Sequence, residues 1–289
     1  METVELARAP GLAGLYARAL AAALPGRGGA HDRVPQTGLA LRGVRADGAR
    51  VVAYARVCGF TLTGTLPVTY PHVLAFPLAL KLMTSADFPF PATGVVHLAN
   101  RIEQRRPLAA DEPMDLTVHV ENLRPHERGR QVDVVAVATV DGAEVWRDVS
   151  TYLRREGARS GRATGPGREA SPDGPPPEPT AVWRVGAGTG RAYAEVSGDR
   201  NPIHLSTLAA KAFGFKRQIA HGMWSKARCL AQLGPRLPDA YTVEVAFRAP
   251  VLLPSTVHFS AAPEPDGWRF AVHGAKSGRS HLSGTVTRA

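Results

Sequence analysis

The 289-residue chain has few of the features that mark disulfide scaffolds or membrane proteins. It holds only two cysteines, Cys58 and Cys229, which excludes a small fold stapled by disulfides. Both lie in apolar sequence, where a free cysteine behaves as a small buried hydrophobe, and this favours a reducing cytoplasm. No unbroken apolar stretch approaches the ~18 residues that a membrane-spanning helix needs. An apolar segment at residues 12–24 is interrupted by Arg18, so it predicts an amphipathic helix rather than a signal peptide.

Lysine is also scarce, and most of the positive charge comes from arginine. The formal net charge is +10, although only five of the 35 basic residues are lysine. These residues are spread along the chain without a dense basic helix or an aromatic–basic signature, which argues against a nucleic-acid partner. A positive surface instead suits an anionic partner, such as the phosphates of coenzyme A or an acidic carrier protein.

One segment, residues 155–179, lacks the apolar side chains that a folded core requires. It is rich in glycine, proline and arginine and includes Pro175-Pro176-Pro177. This composition predicts a flexible linker. The chain therefore divides into an N-terminal domain at 1–154, the linker at 155–179 and a C-terminal domain at 180–289. Both domains are of ordinary size.

Both halves show the same order of predicted elements, with a long helix followed by four strands. In the C-terminal half we predict a strand at 182–185, a loop at 196–205, helices at 207–213 and 223–233, and strands at 241–248, 255–261, 268–274 and 281–287. In the N-terminal half we predict a strand at 50–57, a helix at 70–83, and strands at 94–100, 114–121, 132–140 and 144–153. Pro77 should kink or shorten the helix at 70–83. The pattern indicates an α+β protein built from a duplicated unit.

The most informative segment is Tyr-Ala-Glu-Val-Ser-Gly-Asp-Arg-Asn-Pro-Ile-His at residues 193–204, followed by Ile-Ala-His-Gly-Met at 219–223. An aspartate and a histidine at this spacing are, taken alone, typical of a polar turn on the surface. The longer pattern, with Gly-Phe at 214–215 between its two parts, resembles the hydratase signature of the MaoC-like, or (R)-specific enoyl-CoA hydratase, family of the hot-dog superfamily.

The resemblance is close over about 40 residues and extends loosely over both halves. It implies a double hot-dog fold, in which each half has a curved antiparallel β-sheet wrapped around a long central helix. It further implies a 3-hydroxyacyl-thioester dehydratase of fatty-acid metabolism that interconverts (3R)-3-hydroxyacyl and trans-2-enoyl thioesters. The N-terminal half has no Asp-x-Asn-x-x-His counterpart. We therefore expect one active site per chain, at the junction of the two halves, with the first half recruited for substrate binding.

The chemistry needs a base to activate water, an acid to protonate the α-carbon, and donors for an enolate oxygen. His204 has a suitable intrinsic pKa for the base, and the resemblance implies that Asp199 acts with it. Gly222 is the residue before the second helix, where a backbone N–H and the helix dipole favour an oxyanion. The resemblance implies that this N–H polarises the thioester carbonyl. Supporting positions are expected at Ser197, Asn201 and His221.

Other features complete this interpretation. Lys216 and Arg217 are candidate contacts for coenzyme A phosphates, although basic residues beside a loop are usually only solvated. No metal or redox cofactor is required, and coenzyme A or acyl carrier protein enters as part of the substrate. We expect no nucleic-acid partner, no membrane span, and a monomeric pseudo-dimer or a homodimer.

Several alternatives remain open. A metal site at Asp199, His204 and His221 lacks a recognised zinc spacing, and no Gly-x-Ser-x-Gly nucleophile elbow occurs. A hot-dog acyl-thioesterase would share the fold and the substrate but hydrolyse the thioester. A non-catalytic acyl-binding or assembly protein would keep only the fold.

Overall fold

The structure, a computed structural model, describes residues 2–22, 31–155 and 178–289. The chain forms two compact units. The first unit contains Met1–Ala53 and Leu62–Gly157, and the second contains Tyr54–Thr61 and Ala158–Ala289. Most of the predicted linker, residues 156–177, lies outside the described residues. Unlike a single division at the linker, this grouping assigns Tyr54–Thr61 to the second unit.

The first unit is an α+β structure with a mostly antiparallel sheet. Its elements are β1 (Glu2–Glu5), α1 (Leu12–Ala22), β2 (Thr37–Val44), α2 (Gly48–Cys58, which ends in the second unit), α3 (Tyr70–Met83), β3 (Val95–Gln104), β4 (Met114–His126), β5 (Gly129–Val140) and β6 (Ala143–Arg155). The strand order is β1-β2-β4-β5-β6-β3, and β1 and β2 are the parallel pair. The central helix α3 packs against β2, β4 and β5. In β4, buried and partly exposed residues alternate from Met114 to Val120, as a sheet with one face on the core requires.

The second unit carries its helices before its main strands. Its elements are β7 (Ala181–Val185), α4 (Thr189–Ser197), α5 (Pro202–Leu205), α6 (Thr207–Ala212), α7 (Gly222–Leu233), a 3-10 helix (Gly234–Arg236), β8 (Tyr241–Phe247), β9 (Ser255–Glu264), β10 (Gly267–Gly274) and β11 (Ser280–Arg288). The strands are antiparallel, in the order β8-β11-β10-β9-β7. The central helix α7 buries Met223, Ala227 and Leu230, and the Nζ of its buried Lys226 donates to the Val243 carbonyl of β8 at 3.2 Å.

The two units share one topology, which supports the predicted duplication. The order β2-β4-β5-β6-β3 in the first unit matches β7-β9-β10-β11-β8 in the second, strand for strand along the chain. An isolated bridge precedes the central helix in each unit, between Thr65 and Ala109 in the first and between Ile219 and Leu252 in the second. Each bridge joins the residues before the central helix to the residues before an equivalent strand, which is β4 in the first unit and β9 in the second.

The connection into the central helix differs between the units. Residues 45–69, which number 25, join β2 to α3, whereas residues 186–221, which number 36, join β7 to α7. The longer connection contains α4, α5 and α6. The second unit therefore has 36 − 25 = 11 additional residues at this point.

The predicted strand at 50–57 is wrong, because this segment forms the helix α2. The backbone N–H of Arg50 donates to the Asp47 carboxylate at 3.0 Å, and that of Val51 donates to the Asp47 carbonyl. Val51, Tyr54, Ala55 and Cys58 are buried at helical spacing. The capping aspartate and this period outweigh the strand preference of valine and tyrosine.

Other predictions need smaller corrections. The segment predicted as a loop at 196–205 contains the end of α4 and all of α5, and β1 and β2 were not predicted. The helix at 70–83 has the predicted bounds and is not shortened at Pro77. The predicted N-terminal helix is α1, in which Leu15 and Ala19 are buried.

Two predicted absences concern cysteine chemistry and membrane helices. Cys58 and Cys229 are free and buried, and burial raises the pKa of the Cys58 thiol to about 12. Both therefore behave as small core residues, as predicted.

Of the helices that the structure describes, none combines the length and apolar character required to span a bilayer.

Candidate active site

The site begins where α4 ends, because the chain turns sharply at Gly198. This glycine has a positive φ of 76°, and its N–H donates to the Ala194 carbonyl. Such a left-handed residue is a common helix terminator, since glycine adopts it without a Cβ clash. The Ser197 hydroxyl donates to the Tyr193 carbonyl at 2.7 Å and accepts from the Asp199 N–H at 3.2 Å. Ser197 thus fixes the backbone immediately before Asp199.

Asn201 and Pro202 start the short helix α5, which presents His204. The Asn201 side chain caps the helix by accepting from the Ile203 N–H at 3.4 Å, and proline occupies a first-turn position where its missing N–H is not needed. The Asp199 carboxylate accepts from the Asn201 N–H at 3.1 Å. Asn201 therefore supports the loop from both sides.

His204 is buried and held in one tautomer. Its Nδ1 lies 2.8 Å from the Ile219 carbonyl oxygen, which can only accept, so Nδ1 carries the hydrogen and Nε2 keeps its lone pair. Burial lowers the pKa of His204, while Asp199 and the Ile219 carbonyl oppose the shift. The imidazole is consequently neutral near pH 7 and able to accept a proton at Nε2.

His221 stacks on His204, with ring centroids 3.6 Å apart and planes inclined by 25°. Its Nε2 donates to the Asp199 carbonyl at 3.0 Å and lies 3.8 Å from the Asp199 carboxylate. Burial lowers the pKa of His221 to about 3, and the neighbouring His204 contributes in the same direction. His221 is thus a neutral ring that joins the end of the 213–221 loop to the Asp199 backbone.

The carboxylate of Asp199 and the rings of His204 and His221 converge. One nitrogen or oxygen from each of these three residues lies within 4.8 Å of the others. This spacing is compatible with a metal ion, but the donor set fits poorly. The His221 Nε2 carries a hydrogen that it donates to a carbonyl, and its Nδ1 is buried. The arrangement is better suited to moving protons between a carboxylate and an imidazole.

Gly222 is the first residue of α7, and His221 is its N-cap. In the part of the chain that the structure describes, the Gly222 N–H has no hydrogen-bond acceptor. A Cβ at this position would lie 3.1–3.2 Å from the Phe247 ring, so the site leaves little space for a side chain. The amide is therefore a free donor at a helix N-terminus, where partial positive charge favours a developing oxyanion.

Lys216 and Arg217 do not join this cluster. Both are exposed, in the loop between α6 and α7. The cluster itself unites Asp199, His204 and His221, with Ser197 and Asn201 supporting the backbone. Every other predicted site residue thus belongs to one local structure.

A second polar cluster, in the first unit, was not predicted from the sequence. His72 lies in the first turn of α3, and its Nδ1 lies 2.8 Å from the carboxylate of Asp148 in β6. That carboxylate also accepts from the Asn100 amide at 2.8 Å and the Ser150 hydroxyl at 2.9 Å. Because the four residues come from three separate elements, no local sequence motif predicts the cluster.

Comparison with known proteins agrees with this architecture. A MaoC-like domain family model matches residues 169–276. The 3-hydroxyacyl-thioester dehydratase X of Mycobacterium tuberculosis is 39% identical over 255 residues, covering 88% of this chain and 90% of that protein. A 3-hydroxybutyryl-CoA dehydratase of Methylorubrum extorquens is 46% identical over 63 residues, which cover 20% of this chain and 40% of that protein.

Solved structures show the same fold. The crystal structure of HtdX from Mycobacterium tuberculosis has a TM-score of 0.78 and 38% identity, covering 87% of this chain and 100% of that chain. A second Mycobacterium tuberculosis protein, described as having a double hot-dog fold, has a TM-score of 0.51 and 15% identity, covering 90% of this chain and 95% of that chain, and it supports the fold alone. The protein is therefore a double hot-dog protein. On its likeness to HtdX over most of both chains, it belongs to the MaoC-like dehydratase family.

Proposed function

We propose that the protein is a hydro-lyase that adds water reversibly to trans-2-enoyl thioesters to form (3R)-3-hydroxyacyl thioesters. The observation that carries this proposal is the convergence of Asp199 and His204 in the unit where Gly222 offers a free helix-terminal amide. The relatives named above are dehydratases of hydroxyacyl thioesters, which supports the reaction class. The (3R) configuration is taken from the family resemblance.

In the hydration direction, the water oxygen attacks C3 of the enoyl group while its proton passes to the His204 Nε2 lone pair. Asp199 orients the same water and shares the proton exchange. The electron pair of the C2–C3 double bond moves towards the thioester carbonyl, where the Gly222 N–H stabilises the enolate oxygen. A proton delivered to C2 from the Asp199–His204 pair completes the addition. Dehydration follows the same steps in reverse.

The surrounding residues fix this geometry. Ser197 and Asn201 hold the backbone on either side of Asp199, and the His221 Nε2 donates a hydrogen bond to the Asp199 carbonyl. Because His204 is neutral, the proton acceptor is present near pH 7 without prior deprotonation. No step needs a metal or an organic redox cofactor, and the thiol carrier is part of the substrate.

The assay is hydration of crotonyl-CoA and longer trans-2-enoyl-CoAs, followed by loss of enoyl absorbance. We expect His204→Ala and Asp199→Asn each to lower kcat by roughly 10²–10⁴-fold, the range for removing an acid–base group. Asp266→Asn, in an exposed turn of the same unit, is the matched control and should keep full activity.

Two results would contradict the proposal. Normal turnover in both site variants would remove the assigned acid–base pair. Release of free thiol at the rate of substrate loss would identify a thioesterase, because hydration leaves the thioester bond intact.

A further inference from the structure

The second unit has an exposed apolar and basic surface that the proposed chemistry does not use. We define the α6 surface as the exposed apolar and basic residues on α6 and in the loop after it, together with Arg191 of α4, which is hydrogen-bonded to the residue Leu205 before α6: Arg191, Leu208, Lys211, Phe213, Lys216 and Arg217. Leu208 is 80% exposed, the highest value among the large hydrophobic residues in the described chain, and Phe213 is 40% exposed. Exposing both side chains to water has a free-energy cost that a partner would relieve.

The charge of this surface has one sign. Residues 200–238 contain no aspartate or glutamate. Arg191, Lys211, Lys216 and Arg217 are all exposed, and within residues 2–22, 31–155 and 178–289 no carboxylate lies at ion-pair distance from any of them. The exposed Glu195 is the acidic residue of α4, and it makes no ion pair with Arg191 in this part of the chain. The α6 surface therefore carries uncompensated positive charge.

The α6 surface is built on the segment that holds the catalytic histidine. Arg191 donates from Nε to the Leu205 carbonyl at 3.1 Å, next to His204. The helix α6 begins three residues after His204, and the loop that follows it returns at Ile219, whose carbonyl fixes the His204 ring. The surface and the acid–base pair are thus two parts of one short chain segment.

We propose that the α6 surface docks an acidic acyl carrier protein that delivers the acyl thioester. This inference rests on the proposed function, because it names the carrier of the same substrate. The phosphate groups of coenzyme A would be satisfied by cations alone, and its one adenine ring offers less apolar surface to Leu208 and Phe213 than a protein partner does. A protein partner with an acidic, partly apolar surface matches both the charge and the two hydrophobic side chains.

The test compares one trans-2-octenoyl group on two carriers, coenzyme A and a small acidic acyl carrier protein. Leu208→Asp places a negative charge at the centre of the apolar contact, and Lys211→Glu reverses one cation. We expect each variant to lower kcat/KM for the protein-bound substrate by about tenfold, which corresponds to loss of one important interface residue. For the coenzyme A substrate, kcat/KM should stay within about twofold.

Matched controls come from exposed residues of the same unit outside the α6 surface. Val182→Asp and Lys276→Glu repeat the two chemical changes on β7 and on the β10–β11 turn, and should leave both substrates unaffected. Raising the salt concentration from about 50 mM to about 500 mM should weaken turnover of the protein-bound substrate selectively, because exposed charges are screened.

Direct binding of the loaded carrier protein, measured by fluorescence anisotropy, separates this inference from the proposed function. Loss of binding in Leu208→Asp and Lys211→Glu supports docking even if no hydration is seen, and an inactive wild type that still binds the carrier would refute only the hydratase proposal. Docking is wrong if the wild type does not bind the carrier. It is also wrong if the variants reduce both substrates equally, as coenzyme A contacts would require.

Discussion

Replacing His221 with phenylalanine should change how the stability of the second unit depends on pH. Phenylalanine keeps a planar ring against His204 but neither titrates nor donates to the Asp199 carbonyl. Losing that hydrogen bond should lower the free energy of unfolding by about 1 kcal/mol near pH 7.5, where the wild-type His221 is neutral in both folded and unfolded chains.

The pH dependence follows from the lowered pKa of His221. In the unfolded chain it titrates near its ordinary value of 6.5, and in the folded chain its pKa is about 3. Below pH 6.5 the unfolded state binds the extra proton, so wild-type stability falls by about 1.4 kcal/mol for each pH unit. At pH 5.0 this loss reaches about 2 kcal/mol. The variant lacks it, so the two stability curves should cross near pH 6 and the variant should be the more stable protein at pH 5.

The measurement is urea unfolding between pH 7.5 and pH 5.0, followed by tryptophan fluorescence. Trp183 and Trp224 are buried in the second unit, and Trp146 of the first unit adds a contribution that is common to both proteins. The lowered pKa of His204 adds a loss of the same sign to both proteins, so the difference between the curves isolates His221. Parallel curves, with no convergence towards low pH, would refute the assignment of a neutral buried ring.

Three further predictions concern other parts of the molecule. Gly222→Ala should lower kcat about ten- to hundredfold in the crotonyl-CoA assay, because the new Cβ presses on Phe247 and displaces the amide donor, while the thermal midpoint changes by only a few degrees. Asp148→Ala should lower the free energy of unfolding by about 3 kcal/mol in urea titrations, because His72, Asn100 and Ser150 each lose the carboxylate that accepts their hydrogen bond; an unchanged midpoint would contradict the cluster. Dialysis against a chelator should leave kcat unchanged, and restoration of a lost activity by a divalent metal would overturn the acid–base mechanism.

The candidate site was predicted from a family resemblance, which one sequence can carry because the residues of the motif lie close together in the chain. Asp199 and His204 lie five positions apart, and a helix terminus at Gly198 and a proline at position 202 are enough to bring them to the same place. Gly222 follows 18 residues after His204, yet the two segments are joined at Ile219, whose carbonyl accepts from the His204 Nδ1 and whose N–H donates to the Ile203 carbonyl. Local turns therefore position most of these residues, whereas their chemical roles were inferred from the resemblance.

Features that depend on distant contacts were harder to predict. The helix α2 was predicted as a strand, because its valines and tyrosine favour extended structure and the local cap at Asp47 was overlooked; the burial of its one apolar face depends on packing against the rest of the fold. The cluster around Asp148 joins His72 and Asn100, which lie 76 and 48 residues away in the chain. A buried carboxylate of this kind is specified by packing, which a single sequence does not display.

The shared topology of the two units explains why only one of them carries the proposed chemistry. Strand order, central helix and preceding bridge are the same in both, so none of these features provides the acid–base pair. The difference is the connection before the central helix, which is 11 residues longer in the second unit (36 − 25) and contains α5 and α6. That connection supplies His204 on α5, the Asp199 turn before it and the exposed α6 surface after it. The scaffold contributes a helix N-terminus to both units, and the longer connection adds the proton-transfer groups to one.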